Sequence, residues 1–316
     1  MTLVTTSAGA FELDSQTLRI VHAVATYGSI TRAAAALGYS QPAVSQHLRR
    51  VETRMGMPLV TRVGRGIALT DAGEVVARHA GVVLSALDSA SGELSELSGL
   101  HAGRVRLSGF PSASSTVVPS LLRTMADQHP GIEIGYVEAE PPESIAAVRD
   151  GSCDVAIAFA YPTDPADAFG RLTEGLAVTT LFRDDIVVLT PSDLEVNATS
   201  LGSLHDSTWI AGCPQCRGHL LDTCARAGFA PSIGYETDNA VAVMSMVAAG
   251  LGIAMLPALA TTASPVPAGV TAHPTAGEHR LVVAVTRPDA RALPAVDALL
   301  TALTALTAER PADRAA

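Results

Sequence analysis

Amide, hydroxyl and guanidinium groups are concentrated on one face of the segment between residues 41 and 54. Val44, Leu48 and Val51 follow the i, i+4, i+7 spacing, which predicts the buried face of an amphipathic helix. The outward face carries Gln41, Ser45, Gln46, Arg49, Arg50 and Arg54. Amides and hydroxyls hydrogen-bond to base edges and guanidinium groups bind phosphates, so this face has the chemistry of a DNA-reading helix. We expect the first three side chains near the bases, Arg50 and Arg54 at phosphates, and Arg49 in either role.

The same pattern at 41–54 could belong to an ordinary amphipathic helix with a solvated basic face. The segment that precedes it helps to decide between that alternative and a DNA-reading helix. A short helix that begins near Thr31, capped by its side chain, would present the alanines at 33 and 34 as a small apolar stripe. Small residues let two helices cross closely at the steep angle of a helix-turn-helix. Gly38 suits the turn, and Ser40 followed by Pro42 predicts the start of the second helix. The paired helices favour DNA reading.

A hairpin at 61–69 follows the second helix, and Thr70 with Asp71 predicts the cap of the next one. Residues 18–73 as a whole resemble the winged helix-turn-helix of the LysR-type transcriptional regulators. The residues that carry the resemblance are Ala33, Ala34, Leu37, Ser40, Gln41, Pro42, Ala43, Val44, Ser45, Glu52, Gly56, Pro58, Leu59, Arg62, Gly66, Leu69, Thr70, Asp71, Ala72 and Gly73.

The resemblance implies a double-stranded DNA operator as partner and a wing that runs along the backbone and minor groove. Arg62 and Arg65 would form that wing. The predicted DNA contacts are completed by Thr31, Arg32 and Pro42. Val60 stands where the family usually has an aromatic residue, which we interpret as a packing change only.

The charge distribution separates this segment from the rest of the chain. The whole sequence has a net charge of −10, which taken alone argues against nucleic acid. Residues 1–80, however, carry a balance of +3, and the remainder carries −13. Between Arg32 and Arg65 there are six arginines against one acidic residue. The electrostatic footprint for DNA is therefore local.

A heptad pattern follows the hairpin. Apolar residues recur in alternating steps of four and three at Val76, Ala80, Val83, Leu87, Ala90, Leu94 and Leu97. This is the a/d repeat of a coiled coil, although a helix packed on its own domain is the alternative. A dimer follows, with two recognition helices offered to two half-sites. The resemblance implies antiparallel linker helices and dimers that associate into tetramers.

Beyond Gly99 short strands alternate with helices, which predicts an α/β fold. The expected strands are Val105–Ser108, Ile132–Val137, Val155–Phe159, Ile186–Thr190, Thr208–Ala211, Ile233–Thr237, Ile253–Leu256 and Leu281–Thr286. The expected helices include Thr116–Gln128, Glu143–Asp150, Leu220–Ala227 and Asn239–Ala249. Proline-bearing stretches at 161–166 and 264–268 predict crossovers between two subdomains. The region resembles the family's effector-binding domain, a two-lobed relative of type II periplasmic solute-binding proteins.

These patterns give five expected parts. They are a disordered extension (1–12), the winged helix-turn-helix (13–71), a coiled-coil linker helix (72–99), the effector-binding domain (100–306) and a flexible tail (307–316). Within the effector-binding domain, lobe I takes 104–161 and 269–306, and lobe II takes 166–265. The predicted fold class is thus α/β with an all-α winged helix-turn-helix at the N-terminus.

A hydroxyl-rich run after the first α/β strand is the strongest candidate for an effector site. Hydroxyls and backbone N–H groups at a helix start suit a carboxylate or similar anion, although solvated serines at a plain helix cap are the alternative. The run contains Ser112, Ser114, Ser115 and Thr116. By analogy with sites between lobes, the facing candidates are Ala139, Glu140, Tyr161, Gly212, Cys213 and Asp238. The ligand would be a small molecule.

Three thiols and an imidazole lie within twelve residues: Cys213, Cys216, His219 and Cys224. The Cys213-x-x-Cys216 pair could be redox-active or supply half of a metal site, whereas buried structural thiols are the third alternative. The resemblance adds that Cys216 and Cys224 fall roughly where peroxide-sensing members place their reactive pair, although the spacing differs. A redox- or metal-responsive regulator, or a thiol- or metal-handling protein, is therefore the alternative function. Cys153 is expected in the core.

Other classes of protein are disfavoured. No catalytic triad, phosphate-binding loop or dinucleotide fingerprint occurs, so we expect neither an enzyme nor a cofactor. Residues 239–259 are uncharged over about the length of a membrane span, but glycines and a proline interrupt them and the apolar period changes midway. We therefore expect a cytoplasmic protein that does not contact a membrane. RNA polymerase is a further candidate partner.

Overall fold

The structure is a computed structural model that describes residues 12–64, 66–97, 103–163, 168–194 and 201–308. The described residues divide into two compact units, one comprising those up to 94 together with 149–152, and the other the remainder. The predicted extension 1–12 lies outside the described residues except for Glu12. The predicted tail begins inside the last helix, which ends at Ala308.

The N-terminal unit is built from helices and one hairpin. Its elements are α1 (Ser15–Tyr27), α2 (Ile30–Ala36), α3 (Gln41–Met55), β1 (Val60–Val63), β2 (Gly66–Leu69) and α4 (Asp71–Leu97). Ser40 caps α3 by accepting from the Ala43 N–H, and Gly38 has φ of 70°, both as the sequence predicts. The predicted cap of α2 is wrong, because Ser29 and not Thr31 accepts from the Arg32 N–H.

Two polar contacts position α3 within this unit. Thr17 Oγ1 lies 2.9 Å from His47 Nε2 and ties α1 to α3 in the interior. At the other end of α3, Glu52 Oε1 accepts from the N–H groups of Leu59 and Val60, at 2.8 and 3.1 Å. A carboxylate that accepts two backbone N–H bonds fixes where the chain leaves α3, and hence where the hairpin begins. Thr70 Oγ1 accepts from the Gly73 N–H and caps α4.

The linker helix α4 uses its apolar residues in two ways. Val76 and Ala80, expected to face a partner helix, are instead buried in the core of the N-terminal unit together with Leu84. The first turns of α4 pack on their own domain, so the predicted seam is wrong at these two positions. The remaining described members, Val83, Leu87, Ala90 and Leu94, are exposed, and the side chain of Leu97 lies outside the described residues.

The second unit is an α/β domain with two lobes. Its strands are β3 (Gly103–Gly109), β4 (Ile132–Glu138), β5 (Val155–Ala160), β6 (Ala177–Pro191), β7 (Thr208–Ala211), β8 (Ser232–Glu236), β9 (Ile253–Pro257) and β10 (Val270–Thr286). Its helices are α5 (Pro111–Ser114), α6 (Val117–Gln128), α7 (Pro141–Asp150), α8 (Ala168–Thr173), α9 (Pro214–Arg226), α10 (Ala240–Ala248), α11 (Ala258–Ala263) and α12 (Pro294–Ala308). The strand order is β4-β3-β5-β10-β6-β9-β7-β8.

Two long antiparallel strands join the lobes. β6 and β10 pair from Ala177 opposite Thr286 to Pro191 opposite Val270. One end of this ribbon lies beside β5 in lobe I, and the other lies beside β9 in lobe II. The chain therefore changes lobe inside β6 and β10, and the crossovers predicted at 161–166 and 264–268 are misplaced.

The predicted lobe boundaries shift with the crossovers. Phe169 and Leu172 of α8 pack with Ile145 and Val148 of α7, so α8 belongs to lobe I and not to lobe II. The sequence predicted only the apolar end of each crossover strand, from Ile186 and from Leu281 onward. Charged residues just before these positions interrupt the hydrophobic pattern that identifies a strand.

The uncharged stretch at 239–259 contains a helix followed by a strand, as the change of period predicted. Asn239 caps α10 through its side-chain oxygen, which accepts from two backbone N–H groups, and β9 follows. Among the described residues, no helix combines the length and the apolar character that crossing a membrane requires.

Candidate functional site

The face of α3 that the sequence singled out is available to a ligand. Val44, Leu48 and Val51 are buried, as predicted. Gln41, Gln46, Arg49, Arg50 and Arg54 are exposed and Ser45 is half-buried.

Two members of this polar face make contacts of their own. Gln41 Nε2 donates to Ser45 Oγ at 2.8 Å, which couples two predicted base-reading side chains. Arg54 donates from a terminal nitrogen to the Glu12 carbonyl oxygen at 3.1 Å, so it also holds the chain ahead of α1. The remaining predicted contacts, Thr31, Arg32, Pro42 and Arg62, are exposed, whereas Arg65 lies outside the described residues.

A cavity of about 410 Å³ lies between the two lobes of the second unit. Lobe I contributes residues that follow β3, residues at and just beyond the end of β4, and Phe159 of β5. Lobe II contributes the starts of α9 and α10, and β10 contributes Arg280. Of the predicted effector residues, Ser112, Ser115, Glu140, Gly212, Cys213 and Asp238 line it.

Four predicted effector residues lie elsewhere. Ser114 donates to the Phe110 carbonyl oxygen and Thr116 to that of Ser112. Ala139 continues the β4 pairing through its N–H, which donates to Gly109. Tyr161 stacks on His219, with ring centroids 3.9 Å apart, and lines a second cavity of about 270 Å³.

Arg280 is the main residue of the larger cavity that sequence reasoning missed. Its side chain is 2% exposed. Arg280 Nε donates to Asp184 Oδ2 at 2.9 Å, and a terminal nitrogen donates to Ser112 Oγ at 2.8 Å. The guanidinium carbon lies 4.7 Å from the Phe110 ring centroid and 4.5 Å from that of Phe159. A cation held against two aromatic faces and a buried carboxylate is fixed in position. In the sequence, the feature that could have identified Arg280 is a single arginine directly before the predicted strand that begins at Leu281.

In the wall of the larger cavity, acidic side chains outnumber the single cationic one, that of Arg280. Glu138, Glu140 and Asp238 line the cavity. Burial raises the pKa of Glu140 above its usual value, although the charge of Arg280 opposes the shift. Glu140 Oε2 is buried and has no hydrogen-bond partner among the described residues. A buried carboxylate oxygen without a donor is costly and so favours a ligand that donates to it.

Three of the four hydroxyl groups in the predicted run donate to backbone carbonyl groups. Ser114 and Thr116 donate to backbone carbonyl groups, as described above, and Ser115 Oγ donates to the Pro111 carbonyl at 3.0 Å. Their hydrogens are therefore committed to α5 and its surroundings. Only Ser112 combines a place in the cavity with a contact to a charged group, Arg280.

The Cys213-x-x-Cys216 pair lies at the start of α9 with its two sulfur atoms together. Cys213 is the N-cap residue, and its Sγ donates to Cys216 Sγ at 3.0 Å. This hydrogen bond, assisted by the charge of Arg280 and by Tyr161, lowers the pKa of Cys216 to about 7 despite its burial. The same contact and burial raise the pKa of Cys213.

The other thiols are separate from this pair. Cys224 packs with Trp209 and Leu220 in the core of lobe II, and burial raises its pKa to about 12. Cys153 is buried in lobe I, where it contacts Ser108 at 3.3 Å. His219 stacks on Tyr161 and lies 3.3 Å from Glu278. Within the described ranges, no three His, Cys, Asp or Glu side chains are grouped so as to hold a metal ion.

Comparison with known proteins agrees with both parts of the chain. Residues 15–74 match the family model described as bacterial regulatory helix-turn-helix protein, lysR family, and residues 98–308 match the LysR substrate binding domain. A curated relative is the probable HTH-type transcriptional regulator LrrA of Synechococcus elongatus. It is 30% identical over 259 residues, which cover 81% of this chain and 84% of LrrA.

Solved structures share the fold. Full-length OxyR from Pseudomonas aeruginosa has a TM-score of 0.72 at 20% identity, covering 95% of this chain and 96% of OxyR. CbnR, a LysR family transcriptional regulator, has a TM-score of 0.63 at 18% identity, covering 93% of this chain and 99% of CbnR. The basic helix-turn-helix, the two-lobed domain and both family matches together show that this chain belongs to the LysR-type transcriptional regulators, with a DNA-binding domain and an effector-binding domain.

Proposed function

We propose that this regulator reads an operator with α3 and the β1–β2 hairpin, and that a small molecule in the larger cavity controls that reading. The observation that carries the proposal is the exposed face of α3, where two amides and three guanidinium groups point away from a closed apolar core. Phosphate contacts by arginines supply affinity, and amide contacts in the major groove supply sequence preference.

We propose a homodimer as the DNA-binding form, assembled through the exposed part of α4. Val83, Leu87, Ala90 and Leu94 continue the heptad spacing and do not pack in the core of the described chain. A second copy would cover them and would supply a second recognition helix for the other half-site. Association into tetramers, contact with RNA polymerase and action in the cytoplasm are parts of the same proposal, and they rest on the family.

We propose that the effector carries an ammonium or other cationic group. The cavity is lined by three carboxylates and one guanidinium, and Asp184 already pairs with that guanidinium. Within the part of the chain that the structure describes, Oε2 of Glu140 is an acceptor without a donor. A cationic group would satisfy it and neutralise part of the cavity charge, whereas a dicarboxylate would add to that charge. Arg280 and the Ser112 hydroxyl remain beside the cavity for a carboxylate on the same molecule.

Two measurements test the proposal separately. For DNA, the purified full-length protein is footprinted on the region upstream of its own gene and on pooled genomic fragments, at modest ionic strength. If no site is protected in either sample, the proposal that the protein binds an operator is wrong.

For the effector, the melting temperature is measured with 1,4-diaminobutane, with diamino acids and with succinate. We expect stabilisation by the amines, lost in Glu140→Gln, and none by succinate. Stabilisation by succinate alone would overturn the cationic ligand class and leave the DNA result unaffected.

A further inference from the structure

The wall of the larger cavity contains two thiols that are close enough to react with each other. Cys213 and Cys216 both line it, and their sulfur atoms are 3.0 Å apart. A disulfide requires about 2.05 Å, so the two atoms need to approach by roughly a further ångström. Both residues lie at the start of α9, where a small rotation of each side chain changes that distance.

Local packing keeps the thiols together. A Cβ added at Gly212 would lie 3.2 Å from the Cys216 Cβ, so the absence of a side chain at Gly212 leaves room for Cys216. The Tyr161 hydroxyl donates to Cys216 Sγ at 3.6 Å. Both residues line the cavity, so a reagent that enters it lies beside the pair.

Cys224 is not a partner for this pair. It is fully buried in the core of lobe II, among Trp209, Leu220 and Ile253. Bringing it to Cys216 would require the core around α9 to open. The likeness in position to the reactive pair of peroxide-sensing relatives therefore does not extend to the packing of this chain.

We propose that Cys213 and Cys216 form a reversible disulfide in the wall of the effector cavity by exchange with a small-molecule disulfide. This site adds a second input to the regulator and does not depend on which effector the cavity binds. Its chemistry is complete with one reagent, a disulfide R–S–S–R.

The exchange takes two steps. The Cys216 thiolate attacks one sulfur of the reagent, a mixed disulfide forms, and the first R–S⁻ leaves and takes a proton from solvent. The Cys213 thiol then loses its proton to solvent and its sulfur attacks Cys216 Sγ. The Cys213–Cys216 bond forms, and the second R–S⁻ leaves and is protonated. Two protein thiols are oxidised and one reagent disulfide is reduced to two thiols, so excess thiol reverses the reaction.

The surroundings favour this order of attack. The hydrogen bond from Cys213 and the nearby Arg280 charge lower the pKa of Cys216 to about 7, so a large share is thiolate near neutral pH. Glu138, Glu140 and Asp238 give the cavity negative charge. A cationic reagent is therefore attracted and an anionic one repelled.

Peptide mapping of the full-length protein tests the pairing directly. The reduced protein is treated with cystamine, with bis(2-hydroxyethyl) disulfide or with bis(carboxymethyl) disulfide, quenched with acid, alkylated and digested with trypsin. Cleavage after arginine places Cys213 and Cys216 in one peptide, 184–217, and Cys224 in another, 218–226. A Cys213–Cys216 disulfide therefore leaves peptide 184–217 unlinked, unalkylated and two hydrogens lighter.

We expect that product, with Cys153 and Cys224 alkylated, and its complete reversal by dithiothreitol. Cystamine should react about tenfold or more faster than the carboxymethyl reagent at low ionic strength. Cys213→Ser should stop at the mixed disulfide on Cys216, while Cys224→Ala should still give the cyclic product.

Three results would each overturn the proposal. They are a cross-link between peptides 184–217 and 218–226, thiols that stay reduced in all three reagents, and a mixed disulfide that persists in the wild type.

Discussion

Arg280 and Asp184 face each other across the two long strands of the effector-binding domain. They are register partners on β10 and β6, and Arg280 Nε lies 2.9 Å from Asp184 Oδ2. The other carboxylate oxygen, Oδ1, accepts from the Leu259 N–H at the start of α11, at 2.9 Å. One buried ion pair thus joins both crossover strands and a helix beside the effector cavity.

Removing the charge of Asp184 should destabilise the effector-binding domain. In Asp184→Asn, Arg280 keeps its buried charge but loses the carboxylate that pairs with it, so we expect the free energy of unfolding to fall by about 3 kcal/mol. Urea denaturation followed by the fluorescence of Trp209, the single tryptophan in the sequence, measures this domain.

The matched control for this variant is the neighbouring residue on the same strand. Asp185 pairs with Arg183 on the surface, where the side chains are 55% and 43% exposed. Asp185→Asn should therefore cost less than about 1 kcal/mol. An equal fall in the free energy of unfolding in the two variants would show that the buried ion pair does not stabilise the domain more than the surface pair does.

Substitution of an arginine and substitution of a glutamine on α3 should change DNA binding in different ways. Arg50→Ala should weaken binding to all sequences and reduce the salt slope by about one, because one phosphate contact is lost. Gln46→Ala should relax preference at one base step and leave the salt slope unchanged. Titrations on a matched and a scrambled operator at several salt concentrations measure both effects.

Arg123→Ala is the control for these DNA titrations, since Arg123 is an exposed arginine on α6 of the other unit. It should change neither property. Identical behaviour of Arg50→Ala and Gln46→Ala on the two operators would contradict the assignment of roles.

A charge in the exposed seam of α4 should separate the subunits. Leu87 is 44% exposed in the described chain and occupies a heptad position. Leu87→Asp would place a carboxylate in the proposed dimer interface, where it would lack a partner, so we expect monomers at micromolar concentration by light scattering. Ala86→Asp, one residue earlier and outside the heptad pattern, should leave the dimer intact. Dimers in both variants would place the interface elsewhere.

The stability of the effector-binding domain should fall in mild acid because of His219. Burial lowers its pKa to about 4 in the folded chain, against an ordinary value of 6.5. The unfolded state therefore binds the proton more readily, so stability is fully present above pH 6.5 and declines towards pH 4. The expected loss is about 2 kcal/mol at pH 5.

The test of His219 compares urea denaturation at pH 7 and pH 5 for the wild type and His219→Phe, which keeps a ring against Tyr161. The variant should lose less stability on acidification, by about 2 kcal/mol. His205→Gln, at an exposed histidine, serves as control. The same pH response in the wild type and His219→Phe would mean that other groups govern it.

The spacing of residues close together in the sequence predicted most helices of the DNA-binding domain and their buried faces. It predicted far fewer of the contacts in the effector cavity. The faces of α3 follow from a spacing of three or four residues, so Val44 and Arg50 could be assigned from the sequence. Arg280 and Asp184 are 96 residues apart and meet only because two strands pair in register. Val76 and Ala80 show a further limit, since a heptad repeat does not say whether a neighbouring core or a second chain covers it.

The path of the backbone through β6 and β10 has a consequence for how such regulators diversify. Lobe II leaves lobe I along one strand and returns along its antiparallel neighbour, so its two ends meet where Asp184 pairs with Arg280. A segment with adjacent ends can be exchanged as a cassette without displacing what surrounds it. One wall of the ligand site could thus be replaced while the opposite wall stays unaltered.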